Sequence, residues 1–124
     1  MKDRTTNPHD GSASPGYAVG YLTDVDVNDE LLEYMATVEE TMYEFGGRWL
    51  VHGTTPEYRE GNSTGDVVII AFPDIGSARR WYDSDAYQAV IELRRRNCRS
   101  HIVLLEGVPP HYSTHDTITA LTSR

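Results

Sequence analysis

The sequence predicts one α+β domain in which four strands and two helical regions follow in the order βαββαβ. Three observations carry this. Four short segments, 17–22, 48–53, 67–72 and 101–106, either alternate apolar and polar residues or are apolar throughout, as strands do. Two intervening segments repeat apolar residues at spacings of three and four, as helices do. Glycine, proline and capping residues mark the joints between them. This order is the split-βαβ, ferredoxin-like plan, an antiparallel four-stranded sheet with both helical regions on one face.

Residues 1–15 are rich in Asp, Asn, Thr, Ser and Pro and read as a disordered N-terminal arm, with too little apolar area to offset the entropy of ordering. The domain spans 16–108. Tyr17, Val19 and Tyr21 alternate with Ala18, Gly20 and Leu22 in the first strand. Asn28 suits an N-cap, Asp29 and Glu30 suit the positive end of a helix dipole, and Val27 and Leu32 are spaced as a hydrophobic staple. Leu31, Met35, Val38, Met42 and Phe45 form one apolar stripe, and Gly46-Gly47 ends the helix because glycine takes the left-handed conformation freely. In the second strand, strict alternation places Arg48, Leu50 and His52 on one face and Trp49 and Val51 on the other. Thr54 to Gly65 reads as a long hairpin loop. Val67 to Phe72, apolar on both faces, reads as a central strand. Pro73-Asp74 opens a second helical region in two pieces, 75–82 and 85–97, with Asp83-Ser84 as a fresh cap. His101 to Glu106 is the last strand, closed by Gly107, Pro109 and Pro110, and residues 109–124 form a polar C-terminal tail.

Composition narrows the function. A chain of 124 residues has the size of a single domain. No apolar run approaches the ~20 residues that span a bilayer, and the N-terminus has no apolar signal core, so no membrane partner is expected. The single cysteine, Cys98, forms no internal disulfide, which fits a reducing cytoplasm. A net charge of -8 argues against nucleic acid as a partner. Acidic residues crowd the first helix and arginines the second region, either as two solvated faces or as complementary patches between subunits. One sheet face is left uncovered by the βαββαβ plan although 67–72 and 102–105 are apolar on both sides, so a homodimer is expected.

Two segments resemble a known family. Tyr43-Glu44-Phe45-Gly46-Gly47-Arg48-Trp49-Leu50-Val51-His52-Gly53 is similar to its "yGGrfLvrGg" segment. Val68-Ile69-Ile70-Ala71-Phe72-Pro73-Asp74, Ala78 and Trp81-Tyr82-Asp83-Ser84-Asp85-Ala86-Tyr87-Gln88 are similar to its "vvieFps…a…wYnSpeYq" segment. Leu93-Arg94 and Ile102 to Gly107 resemble the close of the same domain. The family is the domain of unknown function numbered 1330, and the similarity covers roughly Tyr17 to Gly107. It implies membership of the dimeric α/β-barrel superfamily, in which two sheets pack into one shared barrel. Relatives there include cofactor-free monooxygenases of aromatic polyketide pathways, polyketide cyclases, muconolactone isomerases and haem-degrading enzymes. This chain departs from the pattern in carrying His52 where the family segment has arginine, and in longer polar extensions at both ends.

The sequence lacks a phosphate loop, an HExxH motif, paired cysteines and a nucleophile elbow. No cofactor and no metal are expected, since a metal site needs His52 and His101 to converge with a carboxylate such as Glu106. His52 is the candidate general base, because imidazole exchanges protons near neutral pH. Arg48, two positions away from Leu50 on the shared face, and Arg94, at the end of the stripe Tyr87, Val90, Ile91, are the candidate anion-stabilising residues. Against these stand plainer readings: a strand-end histidine in water, Arg48 paired with a helix carboxylate, and Arg94 snorkelling to solvent. Tyr21, Trp49, Trp81, Tyr82, Tyr87 and His101 are the candidate substrate-binding residues, a set that equally suits core and dimer packing. The function expected is a cofactor-independent enzyme acting on a small aromatic or polyketide-like metabolite of secondary metabolism, through proton abstraction and then cyclisation, isomerisation or oxygenation. The alternative is a non-catalytic dimeric small-molecule-binding or interaction module.

Overall fold

In the computed structural model, which describes residues 14–123, four strands form one antiparallel sheet. They are β1 (Gly16–Thr23), β2 (Arg48–Val51), β3 (Asp66–Phe72) and β4 (Arg99–Glu106), in the spatial order β2-β3-β1-β4. The predicted N-terminal arm lies outside the described residues, except for Ser14 and Pro15. Ser14 is buried, and the Pro15 carbonyl accepts a hydrogen bond of 2.7 Å from Gly107 N, so these two belong to the domain.

Five helices among the described residues lie between and after the strands: α1 (Asp29–Tyr43), α2 (Ile75–Asp83), α3 (Asp85–Gln88), α4 (Ile91–Arg95) and α5 (Thr114–Thr122). The α1 N-cap is Asn28, whose side chain accepts from Leu31 N. At the other end Gly46 takes φ +76, and Gly47 N donates to Met42 O, which satisfies an orphan carbonyl as a C-terminal glycine turn does. Asp74 caps α2 by accepting from Ser77 N at 2.7 Å, and these hydrogen bonds hold its carboxyl below the usual range. The expected staple is absent: Val27 and Leu32 are both well exposed.

The register defines two faces. Ala18 stands opposite Ile70 and Leu104, and Gly20 opposite Val68 and Ile102; this face packs against α1 and α2. Val38 and Met42 from α1, Ala78 and Trp81 from α2, and Tyr87 and Ile91 from α3 and α4 close the core over Ala18, Ile70 and Phe72. The opposite face carries Tyr17, Val19 and Tyr21 beside Val67, Ile69 and Ala71, with His101, Val103 and Leu105 on β4. Among the described residues no helix covers it, and Val103 and Leu105 are about half exposed, at 47% and 50%.

Glycine at position 16 is required by close packing. A Cβ there would lie 2.4 Å from the Asp74 carbonyl oxygen, part of the backbone that caps α2. A Gly16→Ala substitution is expected to cost about 1–3 kcal/mol through overpacking, read as a lower urea midpoint at unchanged slope.

Three sequence expectations need correction. The second helical region has three pieces, because the chain breaks at Ala89-Val90 before α4 begins. The C-terminal tail is not uniformly irregular: α5 forms on a capping box in which Ser113 and Asp116 bond each other's backbone. The third correction concerns β2. Arg48 pairs with Ala71 and Trp49 with Ile70, but Val51 pairs with Ile69, so Leu50 is the extra residue of a bulge. An inserted residue reverses the facing of everything after it. Arg48 therefore lies on the open face with Ala71, while His52 turns to the helix face with Trp49.

Candidate functional site

A cavity of about 380 Å³ lies between the helix face of the sheet and α1. Its floor is Ala18, Gly20, Val68, Ile70 and Ile102, and Leu31, Tyr34, Met35 and Val38 of α1 form its roof. Small residues at 18 and 20 of β1 leave the space open where larger side chains would fill it. The interruption shows on α1: Leu31 and Val38 are buried, but Met35 between them is 45% exposed because it faces the opening.

The cavity has a buried wall and an exposed rim. Trp81, Tyr87 and Arg94 make up the wall and are each no more than 3% exposed. Trp81 Nε1 donates to Thr41 Oγ1 at 2.9 Å, and its ring lies 4.2 Å from that of Tyr87. The Tyr87 and Tyr34 hydroxyls bond each other at 2.8 Å. Burial, reinforced by the neighbouring Tyr87, pushes the Tyr34 phenol far up, so it stays a proton donor. The Arg94 guanidinium carbon stands 5.9 Å from the Tyr34 ring centroid, and its Nη1 donates to Ser100 Oγ. Val25, Val27 and the segment 52–55 form the rim. There the His52 ring stacks on Trp49, with centroids 4.0 Å apart and planes 18° apart.

Of the predicted site residues, His52, Arg94, Trp49, Trp81 and Tyr87 come together around this cavity. His52 and Arg94 are not in contact. One follows β2 and the other bonds a residue of β4, the two edges of the sheet, roughly 14 Å apart at three strand spacings. Arg48 is exposed on the open face and cannot act with His52. Tyr21 also faces that side, opposite His101 and Val67, with its hydroxyl on Ser63. His101 is exposed beside it, so His52 and His101 lie on opposite faces. Tyr82 packs behind the wall, 5.4 Å from Tyr87 between ring centroids, without lining the cavity. Among the described residues no three His, Cys, Asp or Glu side chains group as metal ligands. Tyr34, Thr41 and Ser100 are the participants that sequence reasoning missed. Tyr34 had a legible signal, since it sits three residues after Leu31 and four before Val38 on the apolar stripe.

Fold and cavity together define a ferredoxin-like α+β protein with an internal site of small-molecule size. The chain belongs to the family Domain of unknown function (DUF1330), whose profile matches residues 15–108. No curated protein matches it significantly. Among solved structures it is similar to the RPA0582 protein of unknown function from Rhodopseudomonas palustris, with 14% identity, TM-score 0.62 and coverage of 82% of this chain and 88% of that one. It is also similar to SnoaB, a cofactor-independent oxygenase from Streptomyces nogalater, with 17% identity, TM-score 0.56 and coverage of 82% and 100%. A third is a dimeric ferredoxin-like protein of unknown function from Jannaschia sp. CCS1, with 16% identity, TM-score 0.56 and coverage of 73% and 97%. At these identities the likeness is one of fold. No helix among the described residues is long and apolar enough to cross a membrane.

Proposed function

We propose that this protein is a cofactor-independent enzyme acting on a small aromatic or polyketide-like metabolite held in the cavity. The observation that carries the reading is the cavity itself: apolar, within the roughly 300–1,000 Å³ range of small-molecule sites, walled by aromatic rings, with a cation at the wall and an imidazole at the rim. In the proposed step His52 takes a proton from carbon beside a carbonyl at the rim, the C–H electron pair moves into the enolate, and Arg94, across the cavity and out of reach of that oxygen, stabilises the negative charge of the conjugated metabolite from the buried wall. The enolate then proceeds to cyclisation, to isomerisation by reprotonation at another carbon, or to oxygenation with dioxygen as co-substrate and oxidant. SnoaB, similar in fold, is a cofactor-independent oxygenase, which supports chemistry run by side chains alone.

The test uses 2-tetralone, a bicyclic aromatic ketone with a weakly acidic C–H. In D2O the protein should accelerate loss of that proton signal by NMR over buffer. An unchanged exchange rate with demonstrated binding would favour the non-catalytic module.

A homodimer through the open sheet face belongs to the same proposal. Half-exposed Val103 and Leu105 beside Val19 and Ile69 support it, as does the dimeric Jannaschia protein of similar fold. Light scattering at micromolar concentration should give twice the chain mass of 14.0 kDa. Val103→Glu should shift it toward monomer, since a charge on a buried interface is costly. A wild-type protein that is monomeric throughout sinks the dimer.

A further inference from the structure

Arg94 is charged, 3% exposed, and forms no ion pair with any carboxylate among the described residues. Its Nε is buried with no hydrogen-bond partner. A buried cation without a counter-ion, and a buried N–H without an acceptor, are each costly. The one carboxylate that lines the cavity, Asp66, is on the exposed rim. A second donor stands nearby. In the Tyr34–Tyr87 pair one hydroxyl donates to the other, so the accepting hydroxyl keeps a proton of its own to give.

We infer that the cavity selects organic acids: flat aromatic molecules whose anionic oxygen, a carboxylate or an acidic enolate, pairs with the Arg94 guanidinium beside the free tyrosine O–H. This rests on the cavity being a ligand site and adds the class and orientation of the ligand. The acidic group faces the buried wall, and the ring system extends between Trp81 and the rim. A charge-assisted hydrogen bond formed away from water discriminates strongly against a neutral isostere, which leaves the cation as unpaired as before.

Calorimetric titration with 2-naphthoate and its neutral isostere 2-naphthamide tests this. The acid should bind the parent protein about tenfold or more tighter than the amide. In Arg94→Met the preference should vanish, and the unliganded variant should melt no lower than the parent, since an uncompensated buried charge is gone. Equal affinity for acid and amide in the parent overturns the inference and leaves the cavity reading intact. Failure of both compounds to bind overturns both. A methionine variant that melts much lower yet keeps the acid preference identifies Arg94 as a packing residue and also overturns it. Should the methionine variant not fold, Arg94→Gln removes the charge and keeps polar N–H donors; an undiminished preference there counts against the assignment.

Discussion

A His52→Gln protein is expected to fold and assemble like the parent and to lose roughly a hundredfold in its acceleration of 2-tetralone exchange. His52 is exposed and belongs to no buried cluster; its one ring contact among the described residues is Trp49. Losing that stack costs about 0.5–1.5 kcal/mol, too little to unfold a domain of ordinary stability. Glutamine is similar in size and polar, so the rim keeps its shape. What it lacks is a nitrogen that can take up a proton near neutral pH. The imidazole is suited to this task by position: one ring face lies on indole, and the solvent side can return the proton to water. Melting temperature and exchange rate, measured on the same preparation, separate a structural from a chemical role. A folded His52→Gln protein that exchanges 2-tetralone at the parental rate removes His52 from the proposed mechanism.

The largest expected effect on stability is at Trp81. This side chain is 2% exposed and touches three parts of the molecule. Its ring lies 5.5 Å from Phe72 of β3 and 4.2 Å from Tyr87 of α3, and its N–H reaches Thr41 of α1 at 2.9 Å. Trp81→Ala opens the existing cavity into the core, where the surrounding sheet cannot collapse to fill it. A loss of about 3–5 kcal/mol is expected, a large part of the 5–15 kcal/mol typical of a domain. Trp81→Phe keeps a ring but leaves the Thr41 hydroxyl without its donor, for a smaller loss of about 1 kcal/mol. Urea unfolding of the two variants should show this order. If Trp81→Ala unfolds within 1 kcal/mol of the parent, by the same linear extrapolation, Trp81 is not the keystone described.

The strand and helix order was legible because each element announces itself locally. Asn28, Gly46 and Asp74 cap or end helices through their own side chains or backbone freedom, and 67–72 is apolar enough to demand a central place. The site was legible in part. Trp81, Tyr87 and Arg94 lie close in sequence, and three turns of helix bring them to one wall even though α3 and α4 are separate pieces. The separation of Arg48 from His52 was not legible, because nothing in Arg48-Trp49-Leu50-Val51-His52 marks Leu50 as an unpaired residue. A bulge is decided by what the neighbouring strand presents, and periodicity alone counts it as alternation. Tyr21 and His101 were misplaced for a similar reason: their facing depends on which side of β1 the helices cover. Helix α5 was not legible, because polar residues surround the capping box of Ser113 and Asp116 and leave no clear apolar stripe.

The bulge at Leu50 also shapes how such a protein can change over generations. Most substitutions in an edge strand alter one side chain and leave its neighbours facing as before. Loss of the bulge, with Leu50 brought into the ladder opposite Ile69, would instead reverse everything beyond it at a stroke, moving His52 from the rim to the uncovered side where Arg48 lies. Gain or loss of the bulge is thus a lever that an ordinary side-chain change lacks: it trades a residue of the pocket for a residue of the open face. Relatives of this fold that pair β2 without the bulge should present different residues at the rim and on the open face, while keeping the same core.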